Sequence, residues 1–159
     1  ETALRGACEQ FVESRIREGE NLKLDLIEKL DGMLTDVAAI EKRSPEILQA
    51  YRTKLTEKVK ELLSDTQLEE SRIATEVILY ADKICTDEET VRLHSHIESM
   101  KQTLQTGGSI GRKLDFIAQE MNREANTILS KANDLETSNL AIDLKTEIEK
   151  VREQIQNIE

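Results

Sequence analysis

The chain has 159 residues, of which 34% are charged and only 3% aromatic, with no Trp, six Gly, one Pro and a formal net charge of −10. Few aromatics and few chain-breaking residues argue against a β-sandwich, and abundant Ala, Glu, Lys, Leu and Arg favour long helices. The acidic balance speaks against broad nucleic-acid binding, which needs Lys and Arg on phosphate, while leaving room for a local basic patch.

Helical periodicity starts at once. Leu4, Cys8 and Phe11 recur at three and four residues, as do Ile27, Leu30, Leu34 and Val37, which predicts a first helix over about 2–42. Gly19 lies in the polar stretch between these sets, at a weak point or bend, because an interior Gly costs about 1 kcal/mol against Ala. Ser44-Pro45 reads as a boundary, with Ser capping a second helix and Pro at its first position. Leu48, Tyr51, Leu55, Val59 and Leu62 would form the stripe of that second helix, and the pair would be an antiparallel hairpin over 1–66 ending near Ser64-Asp65-Thr66.

A third helix carries Ile73, Val77, Ile78, Ala81 and Ile84 as its expected buried face. Thr86-Asp87-Glu88-Glu89 restarts a helix with acids where the dipole favours them, and Leu93, Ile97, Met100 and Leu104 should face inward. Gly107-Gly108 stops it. A fifth helix over about 110–132 places Ile110, Leu114, Ile117, Met121, Ala125 and Ile128 on one face, and Asn133-Asp134 ends it. In the sixth, Ala141, Leu144, Ile148, Val151, Ile155 and Ile158 form a short heptad seam. The expectation is an all-α fold of about six helices, a long helical hairpin followed by a small bundle over 67–159. Cys8 and Cys85 are far apart, sit among apolar positions and are expected as buried, reduced thiols of a cytoplasmic protein. No apolar run approaches the roughly 18 residues of a membrane span.

Three constellations could carry chemistry. The fifth helix presents Arg112, Asp115, Gln119, Arg123, Asn126 and Ser130 opposite its apolar face. Asn, Asp and Ser are poor helix formers, and Arg, Gln and Asn offer planar paired hydrogen-bonding groups, so the face suits contact with something beyond solvent, the alternative being a buried polar helix–helix interface. Glu120 and Glu124 share a flank and could hold a hard divalent ion, or simply pair with Lys113, Lys131 or Arg residues. On the fourth helix, Glu89, Arg92, His96 and Ser99 share a face, with His96 a candidate base or metal ligand. His94, about 200° round that helix, belongs elsewhere. The loop from Gly107 to Lys113 lacks the glycine spacing of a Walker loop; Arg112 and Lys113 at a helix start are nonetheless plausible phosphate contacts.

The run Gly108-Ser109-Ile110-Gly111-Arg112-Lys113-Leu114-Asp115-Phe116-Ile117-Ala118-Gln119-Glu120-Met121-Asn122-Arg123-Glu124-Ala125-Asn126-Thr127-Ile128 closely resembles the signature of the YicC-like family. Ser130-Lys131-Ala132-Asn133-Asp134, the stretch from Asp87 to His96, Arg17-Glu18-Gly19-Glu20 and the ending Arg152 to Glu159 resemble it too, while Leu129 departs from the family's small residue. The resemblance implies a cytoplasmic endoribonuclease, dependent on a divalent ion (Mn or Mg), assembled as a homo-oligomer, expected as a hexamer. It implies that this chain is the helical C-terminal part of such a protein, without the mixed α/β region that precedes it. The site expected on that basis has His96, Glu120 and Glu124 as catalytic residues and Glu89, His96, Glu120 and Glu124 as metal ligands. Arg112, Lys113, Gln119, Arg123, Asn126 and Lys131 are expected to hold RNA. The alternative is a non-catalytic oligomerisation or adaptor module, which the acidic balance and the heptad seam fit without any chemistry.

Overall fold

A computed structural model describes residues 2–62 and 70–158. The fold is all-α, as expected, and among the described residues there are five helices and no strand: α1 (Thr2–Leu62), α2 (Glu70–Ile84), α3 (Asp87–Thr106), α4 (Gly111–Lys131) and α5 (Leu135–Ile155).

The difference from expectation lies at Ser44-Pro45. No boundary forms there; α1 runs through Pro45 as one helix of 61 residues, about 90 Å long at the α-helical rise. A proline inside a helix removes one N–H and frees the carbonyl four residues earlier. Here Pro45 and Glu41 are both exposed, so water can take that carbonyl's bond and the penalty is reduced. The antiparallel hairpin expected within 1–66 therefore does not form; the C-terminal part of α1 packs instead on α2, where the Tyr51 and Tyr80 rings stack with centroids 3.7 Å apart. The hairpin's expected end at Ser64-Asp65-Thr66 lies outside the described residues.

The middle of α1 joins α3, α4 and α5 in a four-helix bundle. The core draws Leu26, Leu30, Met33, Val37 and Ile40 from α1, and Leu93, Ile97, Met100 and Leu104 from α3. Leu114, Met121, Ala125 and Ile128 come from α4, and Ala141, Leu144, Ile148, Val151 and Ile155 from α5. The bundle therefore takes one helix from the first 66 residues. The heptad seam of α5 is buried as the spacing predicts.

Polar contacts set the order of the ring, because each neighbouring pair of helices is joined by at least one. Lys101 on α3 donates to Asp31 on α1 at 2.6 Å, and Arg92 on α3 donates to Glu124 on α4 at 2.9 Å. Arg152 on α5 donates to Asp115 on α4 at 3.0 Å. Gln154 and Asp134, at the two ends of α5, meet Asp25 and Arg43 on α1 at 2.6 and 2.9 Å. In every pair the numbers run in opposite directions, so all neighbours are antiparallel. Asp134 also caps α5 by accepting from the Thr137 amide at 3.1 Å. Burial pushes its carboxyl up, but the bonds from Thr137 and Arg43 outweigh burial and hold it below the ordinary value.

Two stretches expected inside are outside. Leu4 and Phe11 are 71 and 66% exposed and Cys8 is exposed as well, and Val12 and Ile16 beside them are 54 and 63% exposed. The first 20 residues of α1 extend beyond the bundle, so no described element lies alongside to cover that stripe. Ile78 is 67% exposed because α2 turns Val77 and Ala81 toward α1 instead. Both thiols are free, and Cys85 is only half-buried. Among the described residues no helix is long and apolar enough to cross a membrane.

Candidate functional site at the α3–α4 face

Gly107 and Gly108 make the α3–α4 turn with φ of 68° and 84°, left-handed values that suit glycine. The turn sends α4 back along α3 and fixes which polar residues meet. Glu89 and Arg92 point to α4. His94 and Lys101 lie on the other flank of α3, where His94 Nε2 is 3.4 Å from Glu41 on α1. The two histidines are thus divided between two interfaces, as the helical spacing requires, and His94 belongs to a structural contact.

Arg92 is the hub of the α3–α4 interface. Its guanidinium reaches Glu88 at 3.1 Å, Glu89 at 3.3 Å and Glu124 at 2.9 Å. The Glu124 bond, with help from Glu88 and Glu89, raises the pKa of Arg92 further above its ordinary value. Glu89 is buried with a side chain 5% exposed, and Lys131 neutralises it by donating to both carboxylate oxygens at 3.0 Å and to the Cys85 carbonyl at 2.9 Å. A buried carboxylate demands such partners, since leaving one unpaired is costly. The register of the Arg92–Glu124 and Glu89–Lys131 contacts sets His96, half-buried, one turn along α3 and level with Glu120. Glu120, with a side chain 26% exposed, pairs with Arg123 at 2.9 Å.

The expected residues therefore fall into two groups. Glu89, Glu124, Lys131, Glu120 and His96 line the α3–α4 seam, and the first three are engaged in ion pairs with each other or with Arg92. Arg112, Lys113, Gln119, Arg123 and Asn126 lie on the exposed side of α4. Among the described residues no bond holds the side chains of Arg112, Lys113 or Asn126, Gln119 donates to Asp115 at 2.7 Å, and the Arg123 side chain is 74% exposed.

The expected metal ligands Glu89, His96, Glu120 and Glu124 do not come together as an ion site. Among the described residues no three His, Cys, Asp or Glu side chains are grouped to hold a metal, and the carboxylates of Glu89, Glu120 and Glu124 each already face a cation. A divalent ion wants several oxygen ligands at once, so the donors as arranged in this chain do not fit one. Two features escaped the reading of the residues. Arg92 was visible only as one member of a polar stripe, and its role as hub needed the partner helix. Phe116, 63% exposed, stands amid the cations of α4.

The fold and site define an antiparallel helical bundle with a cation-linked α3–α4 seam and an exposed polar helix beside it. The family model described as "Endoribonuclease YicC-like, C-terminal" matches residues 40–159, and the chain belongs to that family. It is 46% identical over 158 residues to a protein of Clostridioides difficile (strain 630) named "Probable endoribonuclease YicC", covering 99% of this chain and 54% of the relative. A protein of the same name from Haemophilus influenzae (strain ATCC 51907 / DSM 11121 / KW20 / Rd) is 37% identical over 158 residues, with the same coverage. The chain thus spans about half the length of the curated relatives it matches.

Proposed function

We propose that this chain supplies the RNA-holding and RNA-cleaving face of an endoribonuclease. The observation that carries the reading is the distribution of cations on α4. In a chain of net charge −10, α4 exposes Arg112, Lys113 and Arg123 along one side, the first two without a partner among the described residues. Cations grouped on one exposed helix face suit phosphates. The names of the relatives support the same activity.

In this reading Arg112, Lys113 and Arg123 bind phosphates, and Gln119 and Asn126 offer paired donors and acceptors to base edges or ribose. His96 and Glu120, level with each other across the seam beside the phosphate track, exchange protons with the attacking and departing oxygens. Glu124 and Glu89 position the site by fixing Arg92 and Lys131. No step is assigned to a divalent ion; ion dependence is a property to be measured on the complete protein.

Self-association is part of the proposal, as a homo-oligomer and specifically a hexamer. The exposed stripe Leu4, Phe11, Val12 and Ile16 supports it, because an apolar face of this kind marks an interaction surface. A cytoplasmic location belongs to the same reading. The stripe also favours a second reading, a non-catalytic oligomerisation module. Incubating end-labelled hairpin RNA with the complete protein, with and without EDTA, separates the two. Internal cleavage supports the nuclease, and its loss in EDTA with recovery in Mn²⁺ or Mg²⁺ establishes ion dependence. RNA left intact under every condition by a correctly assembled protein favours the module.

A further inference from the structure

We infer that Phe116 is a stacking platform for an unpaired RNA base. The inference rests on the reading of α4 as the RNA-holding face and adds to it the form of RNA that the face selects, a single-stranded segment. The chain has two Phe and no Trp. Phe116 is 63% exposed although the buried positions Leu114, Ile117 and Ala118 adjoin it on α4. At 100° per residue, Arg112, Gln119, Glu120, Arg123 and Thr127 all fall within about 60° of Phe116 on the helix surface. The ring thus stands at the edge of the exposed polar face, between Arg112 and Arg123 on one side and Glu120 on the other.

A lone exposed apolar side chain needs no explanation by itself. The surroundings of this one decide the matter. A protein–protein interface clusters several apolar residues at its centre, although it too favours aromatics and Arg. Phe116 is instead a single ring, with Arg112, Arg123, the planar amide of Gln119 and the Arg123-paired Glu120 around it. The exposed apolar residues Val91 on α3 and Ile142 on α5 lie, by the antiparallel register, level with residues about two and a half turns further along α4. Arg112 and Arg123 flank the ring along the helix, 11 residues apart and so about 16 Å from end to end. One aromatic face between two phosphate-binding cations is the pattern that holds single-stranded nucleic acid, because every base has a π-face while its phosphates remain free to reach the cations. In a duplex the bases are already stacked and cannot use the ring.

The test uses the complete protein and a short single-stranded oligoribonucleotide, with the same backbone lacking bases as comparator. Phe116→Ala is expected to weaken oligoribonucleotide binding about tenfold, with an unchanged salt slope and unchanged binding of the abasic backbone. Phe116→Tyr should restore the affinity, and it carries the test if Phe116→Ala melts early. Wild-type affinity in Phe116→Ala overturns the inference. So does a changed assembly size in that variant with RNA affinity intact, which would make the ring a contact between copies. Arg112→Gln and Arg123→Gln distinguish this failure from failure of the RNA reading. If they weaken binding and Phe116→Ala does not, stacking alone is wrong; if none of the three alters binding, the RNA-holding face is wrong and stacking falls with it.

Discussion

Arg92 Nε lies 2.9 Å from Glu124 Oε1, and that one bond ties the N-terminal third of α3 to α4 beside the residues proposed to cleave RNA. The same guanidinium reaches Glu89 at 3.3 Å, which Lys131 holds from the other side. Two cations and two carboxylates thus form a connected set across the seam. Such sets respond non-additively when members are removed. Arg92→Met and Glu124→Gln should each lower the melting temperature, and the double variant should melt higher than the sum of the two losses implies. Lys131→Met leaves buried Glu89 with Arg92 alone and should cost about 3 kcal/mol in urea unfolding. Additive losses, or a Lys131→Met protein as stable as wild type, would show that the seam is not coupled in this way.

Ile148 is 1% exposed in the centre of the α5 seam. Ile148→Ala should cost about 3 kcal/mol through lost burial and a residual cavity. Ile148→Asp should cost more, since a carboxylate there would be without a partner. Chemical denaturation measures both, and an Ile148→Asp protein unchanged in stability would contradict the bundle packing.

Asp36 gives a prediction with a definite pH sign. Burial first, then the nearby Asp143 and Glu147, push its carboxyl above the ordinary value. A carboxyl whose pKa is raised by folding weakens the folded state when ionised, and this cost vanishes once both states are protonated. Asp36→Asn should therefore stabilise the protein at pH 7, by less than about 1 kcal/mol because the site is only partly shielded. The gain should fade as pH drops through the folded value toward the unfolded one. Melting curves at pH 7 and pH 3.5 measure it; a destabilised variant at pH 7 would show that Asp36 has a favourable partner.

Much of this architecture is legible in the residues, and the failures have physical causes. The seams on α3, α4 and α5 are strictly periodic and face one core, so spacing alone identified Leu93, Leu114 and Leu144 as interior. Asp134 and Gly107-Gly108 are local signals and held. Pro45 misled because a proline suits both a first helical turn and an exposed helix interior, and only the surrounding packing chooses between them. Leu4, Cys8 and Phe11 have the spacing of a buried stripe, but spacing cannot supply the partner that would bury them. On the site, helical angles correctly separated His96 from His94. They could not reveal that Glu89 and Glu124 face Arg92 and Lys131, because that depends on where a second helix lies.

The central claim is that His96 and Glu120 at the α3–α4 seam serve RNA cleavage, with the exposed side of α4 holding the strand. The most direct measurement compares cleavage of end-labelled hairpin RNA by the complete wild-type protein with that by His96→Ala and Glu120→Gln, alongside RNA affinity and melting temperature. Both variants should fold and bind RNA as wild type and lose at least about a hundredfold in cleavage rate, the typical contribution of a positioned acid or base. Near-wild-type cleavage by both, with binding and folding intact, would contradict it and leave the seam a purely structural ion-pair network.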